Sequence, residues 1–158
     1  VCTLLGTPPR VYARLHRYHP RVHGENLALV IFEYPETTAV IDIGWKPGGL
    51  AHGAFLLEAD RGSVLYEGSM ARGMSARFRV TQGETVVMDE TRSPYDDYIE
   101  SFYLFERECV DCILTGRPVT QSGARNFQTL AATFAAYAAA ESGRPVAIAP
   151  FLAGGHAG

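Results

Sequence analysis

The hydrophobic pattern of this chain changes period once, at Ser93-Pro94, and that switch restricts the architectures open to it. From Val11 to Glu90 apolar and polar residues alternate in short runs separated by turn residues, the signature of half-buried strands. Beyond Pro94 the apolar residues recur at helical spacing through two long stretches. Consecutive strands joined by tight turns pair as neighbours. The pattern therefore predicts an α+β fold: an open, mostly antiparallel sheet with two helices packed on one face and the other face available for oligomerisation.

The strand readings are local. Val11, Ala13 and Leu15 alternate with Tyr12, Arg14 and His16, whereas 27–32 is a richer apolar run with its hairpin partner at 39–45. Asp60-Arg61-Gly62 reads as a tight turn between 53–59 and 63–66, and Gln82-Gly83 joins 75–80 to 85–89. Asp96 or Asp97 is a candidate cap for a helix over 98–114, closed by Gly116 and Pro118. A second helix opens at Gln121-Ser122-Gly123 and runs to Glu141, and its alanines permit close approach to the sheet. Residues 146–149 read as a short terminal strand and 151–158 as a C-terminal tail. Residues 1–6 resemble the last turn of a truncated helix, since one turn cannot form alone. Tyr12, Phe32, Tyr34 and Tyr66 are expected to project from the uncovered sheet face, where aromatic surface marks an interface.

The 158 residues are 47% apolar and 20% charged, a composition that folds as one globular domain and leaves no room for a nucleotide-binding domain beside a full substrate domain. A net charge of -3 gives no long-range attraction to nucleic acid, and the basic cluster of Arg10, Arg14, Arg17 and Arg21 with His16, His19 and His23 reads as a solvated sheet edge. No stretch is apolar for long enough to span a bilayer, and no secretory signal is visible, so a cytoplasmic location is expected. The cysteines Cys2, Cys109 and Cys112 lack a disulfide framework or the second half of a zinc site; Cys109 and Cys112 read as small core residues late in a helix. The glycines of Glu67-Gly68-Ser69-Met70-Ala71-Arg72-Gly73 do not have dinucleotide-fingerprint spacing.

Several motifs in order resemble the C-terminal domain of the glucose-fructose oxidoreductase and inositol dehydrogenase (Gfo/Idh/MocA) family. They are Leu4-Leu5-Gly6, the run from His52-Gly53-Ala54-Phe55 to Asp60-Arg61-Gly62-Ser63-Val64, the run from Phe105 through Cys109-Val110-Asp111-Cys112 to Gly116-Arg117-Pro118, and Ala131 through Tyr137 to Val146. The resemblance implies that residues 1–150 form the substrate-side and oligomerisation domain of an NAD(P)-dependent oxidoreductase acting on a sugar, polyol or related hydroxyl compound. The family's dinucleotide-binding domain and catalytic residues have no counterpart here, so the implied NAD or NADP belongs to an N-terminal domain absent from this chain, and the isolated domain is expected to be inactive. Lys46, the only lysine, lacks the family's Glu-Lys-Pro context and inherits no catalytic role.

As wall residues for such a substrate, Trp45, Lys46, His52, Tyr95 and Asp97 stand out at strand ends and loops, with Arg125 and Asn126 weaker. An indole can cover a sugar ring, an ammonium or imidazole can bond hydroxyls, and Tyr95 and Asp97 precede or open the first long helix. Ordinary structural roles compete at every position, a helix cap for Asp97 above all. Two other classes fit the same sequence: a non-catalytic dimerisation or scaffold protein of the same fold, and a small module binding a hydrophobic ligand in a closed cavity.

Overall fold

The structure is a computed structural model in which residues 1–18, 23–44, 52–69 and 73–153 are described, His52 by its backbone alone. In chain order the elements are α1 (Cys2–Leu5), β1 (Arg10–His16), β2 (Leu27–Glu33), β3 (Thr38–Gly44), β4 (His52–Ala59), β5 (Gly62–Ser69), β6 (Ala76–Gln82), β7 (Thr85–Arg92), α2 (Pro94–Thr115), α3 (Gly123–Ser142), β8 (Val146–Ala147) and α4 (Ala149–Leu152). All strand pairs are antiparallel among the described residues, and the class is α+β as the sequence predicted. The strands form two four-stranded sheets, and the chain divides into two compact units, residues 1–47 with 120–158 and residues 48–119.

In the first unit the sheet order is β3-β2-β1-β8. Register places Val11 opposite Phe32 and Ala13 opposite Val30, so these side chains share one face. Helix α3 covers that face with Ala131, Ala132, Ala135, Ala136 and Ala139, all buried against Val11, Ala13, Phe32 and Ile148. Alanine serves twice here: it is the strongest helix former, and its single methyl lets the helix lie close to the strands. Ser122 caps the helix by accepting from the Arg125 amide at 3.4 Å, and Gly143 ends it in the left-handed region with its amide bonded to the Ala139 carbonyl. Ile148, fully buried, donates its amide to the Pro9 carbonyl at 3.0 Å.

Two expectations are corrected in this unit. Phe32 and Tyr34 do not project from the uncovered face. Phe32 is buried under α3, and Tyr34, two residues on, packs at the margin of the same core with its hydroxyl donating to the Gly6 carbonyl at 2.8 Å. A period of two forces residues 30, 32 and 34 onto one face, and the pairing with Val11 decides which face that is. The uncovered face instead carries the row Tyr12, Ile31 and Val40 and the neighbouring row Arg14, Leu29 and Asp42. The C-terminal stretch is also more ordered in its role than a tail, because Phe151 and Leu152 sit in the helical turn α4 and pack against the core.

In the second unit β4, β5, β6 and β7 form a meander. Ala59 pairs with Gly62 and Gln82 with Thr85, which leaves two-residue turns at Asp60-Arg61 and Gly83-Glu84. Gly62 has φ 150, and a side chain there would overlap the Thr81 carbonyl oxygen, so the neighbouring strand itself excludes every other residue. A register irregularity between Val80 and Thr81 follows on β6. Helix α2 begins at Pro94, earlier than the sequence predicted, and its cap is Ser93, whose hydroxyl accepts from the Asp96 amide at 3.3 Å. Proline at the first helical position supplies a fixed φ and lacks an amide that would otherwise be orphaned, so Ser-Pro outcompetes the two aspartates as the start. Asp96 and Asp97 become first-turn residues that favour the positive end of the helix.

Late in α2, Cys112 is buried, with its thiol directed at the Pro118 carbonyl at 3.5 Å, and Cys109 is half-buried. Among the described residues no group of three or more His, Cys, Asp or Glu side chains is arranged to hold a metal ion, and no helix is long and apolar enough to cross a membrane.

Candidate functional site

The second unit gathers polar and aromatic groups from five elements, β4 to β7 and α2. Register aligns Phe55, Tyr66 and Phe78 in one row across β4, β5 and β6, on a single face. The Tyr66 and Phe78 rings are 6.3 Å apart and tilted by 59°. The Arg92 guanidinium, at the end of β7, lies 5.0 Å from the centre of the Phe78 ring and pairs with the Glu90 carboxylate at 2.9 Å. Asp97, in the first turn of α2, lies close enough for its charge to act on the Tyr66 phenol.

Burial is the largest cause holding the Tyr66 phenol above its ordinary titration range; the negative charge of Asp97 and its hydrogen bond add to the rise, and Arg92 opposes it. The phenol is thus neutral near neutral pH, with Asp97 and Arg92 acting on it in opposite directions. Such a cluster has the parts that recognise polyhydroxylated molecules: aromatic faces for C–H surface, a carboxylate and a phenol oxygen that accept from hydroxyls, and a guanidinium that donates.

The opposite face of this sheet is built differently. Arg77 makes a paired contact with Asp89 at 2.8 and 2.6 Å, and Arg79 Nε lies 3.4 Å from the same carboxylate without hydrogen-bonding alignment. The hydrogen bond from Arg77 is the first cause holding Asp89 below the usual carboxylate range. Arg77 and Asp89 satisfy one another across adjacent strands, with Arg79 adding its charge beside them.

Of the sequence-derived site residues, Asp97 joins the cluster and Tyr95 lies half-buried one turn position behind it on α2. His52 opens β4, its backbone paired with Ser69. Trp45 and Lys46 lie outside the described residues. Arg125 sits at the start of α3 in the other unit and reaches the Thr120 carbonyl at 3.4 Å, a structural contact. Sequence reasoning missed Tyr66, Phe78 and Arg92 as site residues. Their signal was present in the spacing of the two tight turns, which fixes the cross-strand register once both turns are known to hold two residues.

No dinucleotide site fits the described residues. A nicotinamide dinucleotide is held by a parallel strand–helix–strand unit with a glycine-rich first turn, and every pairing here is antiparallel.

An α+β chain of antiparallel sheets, one of them covered by α3, with a cluster of aromatic, guanidinium and carboxylate groups on the other, is the class that fold and site define. The chain resembles a Gfo/Idh/MocA-like oxidoreductase domain. No family model matches it. It is 26% identical to D-apiose dehydrogenase of Rhizobium rhizogenes over 94% of its own length, and spans 45% of that enzyme. Its fold is that of part of an oxidoreductase from Agrobacterium radiobacter solved with NAD+, L-tartaric acid and magnesium, with a TM-score of 0.71 and 21% identity, covering 94% of this chain and 45% of the other. The WlbA dehydrogenase of Bordetella pertussis, solved with NADH and UDP-GlcNAcA, matches with a TM-score of 0.64 and 16% identity over 92% of this chain and 40% of the other. The chain therefore spans less than half the length of each of these proteins.

Proposed function

We propose that this chain is the substrate-binding and oligomerisation domain of an NAD(P)-dependent oxidoreductase acting on a sugar, polyol or related hydroxyl compound. The observation that carries the reading is the resemblance over nearly the whole chain to a sugar dehydrogenase, D-apiose dehydrogenase, in a fold shared with an oxidoreductase solved with NAD+ and a dehydrogenase solved with NADH. The Tyr66–Asp97–Arg92 cluster supports it with groups suited to hydroxyl recognition. In this reading the domain holds the substrate's hydroxyls, and the nicotinamide dinucleotide belongs to a separate domain joined to it.

The test is an assay of the full coding-sequence product with NAD+ and NADP+ against aldoses, sugar acids and polyols, following reduced-nucleotide absorbance. Formation of NADH or NADPH with one such substrate is expected, with Asp97→Asn raising KM at least about tenfold, since it weakens charged hydrogen bonds to the substrate. Absence of reduced nucleotide with every member of the panel overturns the reading.

The oligomerisation part rests on the uncovered face of the first sheet. Val40, 60% exposed, stands in a row with Ile31 and Tyr12, and Leu29, 36% exposed, in the next row between Arg14 and Asp42, a mixed apolar and charged surface framed by the Arg10–Glu33 ion pair at 3.2 Å. Sedimentation showing a dimer or larger assembly that Val40→Glu dissociates is the expected result; a monomer at micromolar concentration overturns this part alone.

A further inference from the structure

We infer that the exposed face of α2 is a self-association surface, occupied in solution by α2 of a second copy of this chain lying antiparallel across a two-fold axis. The inference goes beyond the substrate-binding reading and does not rest on it, and it uses residues other than those of the first sheet's open face.

Much of α2 is left in water. Over 22 residues the helix buries only Pro94 and Cys112, with Phe105 and Cys109 half-buried beside Cys112 in one narrow stripe. Next to that stripe Ile99, Phe102, Tyr103, Val110, Ile113 and Leu114 fall within an arc of about 120°, and each is exposed, by between 51% and 79%. Tyr98 widens the arc by packing edge-on against Phe102, with ring centres 4.9 Å apart. A surface helix turns one apolar stripe to a core and polar residues elsewhere. Helix α2 has two adjoining apolar stripes, of which one is covered. At roughly 200 Å² for a whole large side chain, the six leave about 700 Å² of surface exposed. That is more than a monomer ordinarily shows in one patch, and close to the ~800 Å² that each partner brings to a stable interface.

Charge placement identifies the occupant as a second copy. Between Ile99 and Leu114 the one charged residue inside the arc is Glu106, and Arg107 stands at its rim, 5.8 Å from the centre of the Tyr103 ring. Among the described residues neither has an ion-pair partner. The midpoint of the arc lies between positions 106 and 107. A two-fold axis there sets Glu106 of each copy beside Arg107 of the other, Ile99 beside Leu114, and Tyr103 beside Val110. It also opposes the helix dipoles and sets Asp96, in the acidic first turn, beside Arg117, just past the end of the other helix. An isologous interface needs a patch complementary to itself, and this patch holds an acid and a base symmetrically about its own centre. Two such ion pairs in an apolar surround fix direction and register.

The experiment is sedimentation of the chain carrying Val40→Glu, which takes the first sheet's open face out of the comparison. A dimer at micromolar concentration is expected. Ile113→Asp changes an exposed side chain, so its circular dichroism spectrum stays that of the parent, and it is expected to raise the dimer dissociation constant at least about thirtyfold. Glu106→Arg alone and Arg107→Glu alone each set like charges against one another and are expected to be monomers. An equimolar mixture of these two variants is expected to dimerise, because every charge contact between them is then between opposites. A monomeric Val40→Glu chain overturns the inference, as does a dimer that Ile113→Asp leaves intact. A mixture that stays monomeric overturns the antiparallel two-fold arrangement and the inference with it. None of these outcomes bears on hydride transfer by the full coding-sequence product, so the inference and the substrate-binding reading fail separately.

Discussion

The Tyr137 hydroxyl donates a hydrogen bond to the Glu25 carboxylate and so ties helix α3 to the segment leading into β2, across 112 positions of sequence. This bond is the first cause both of the lowered Glu25 titration and of the raised Tyr137 titration. A carboxylate whose folded titration is lowered contributes stability above its ordinary range and loses it as pH falls; a phenol whose folded titration is raised contributes below its ordinary range and loses it as pH rises. The stability difference between wild type and Tyr137→Phe is therefore expected to be largest near neutral pH and to close at both acidic and alkaline extremes. Thermal unfolding across that range measures it, and a difference constant with pH contradicts the assignment.

A second expectation concerns the phenol of Tyr66. Its phenolate absorbance is expected to appear above the ordinary tyrosine range, with Asp97→Asn bringing it only partway back, because burial, the largest single cause, remains in the variant. A full return to the ordinary range in Asp97→Asn would show that burial contributes nothing.

The alanine face of α3 predicts opposite kinds of damage from opposite changes. Ile148→Ala removes a fully buried side chain from the core beneath α3 and is expected to cost about 3 kcal/mol. Ala135→Leu forces a larger side chain between the helix and β1 and is expected to cost about 2 kcal/mol. Urea unfolding of the two variants gives both values.

At the β4–β5 turn, Gly62→Ala is expected to destabilise by about 2 kcal/mol, because a Cβ there meets the Thr81 carbonyl and the backbone must shift. Gly83→Ala, in open space at φ 56, is expected to cost less, about 1 kcal/mol from backbone conformation alone. Equal losses in the two variants would mean that the close approach to Thr81 is unimportant.

Removal of the α2 cap by Ser93→Ala is expected to cost about 1 kcal/mol, and Asp96→Ala less, since the serine hydroxyl accepts the first-turn amide. Hydrogen exchange at the Asp96 amide reports the loss directly.

Much of the fold was legible in the sequence because it is set by local chemistry. The alternation through Val11, Ala13 and Leu15, the turn at Asp60-Arg61-Gly62, and the helix boundaries at Gly116 and Gly143 each follow from residues within a few positions of one another. Asp97 was legible as a site candidate for the same reason: it sits where a helix starts. The cap was misread because Ser93, Asp96 and Asp97 all have the chemistry of a cap, and the geometry of the turn decides among them.

What only the tertiary structure decided depends on register between distant strands. Period two says that residues 30, 32 and 34 share a face, but the pairing of Phe32 with Val11 under α3 determines that the shared face is the buried one. The same pairing exposes Ile31 and Val40 in their place. The meeting of Tyr66 with Asp97 and Arg92 likewise needs three strands in register and a helix started at the right residue. A one-residue slip of a strand would turn its member of the site, Tyr66 or Arg92, to the opposite face, so the site is a property of long-range pairing that no single segment of sequence contains.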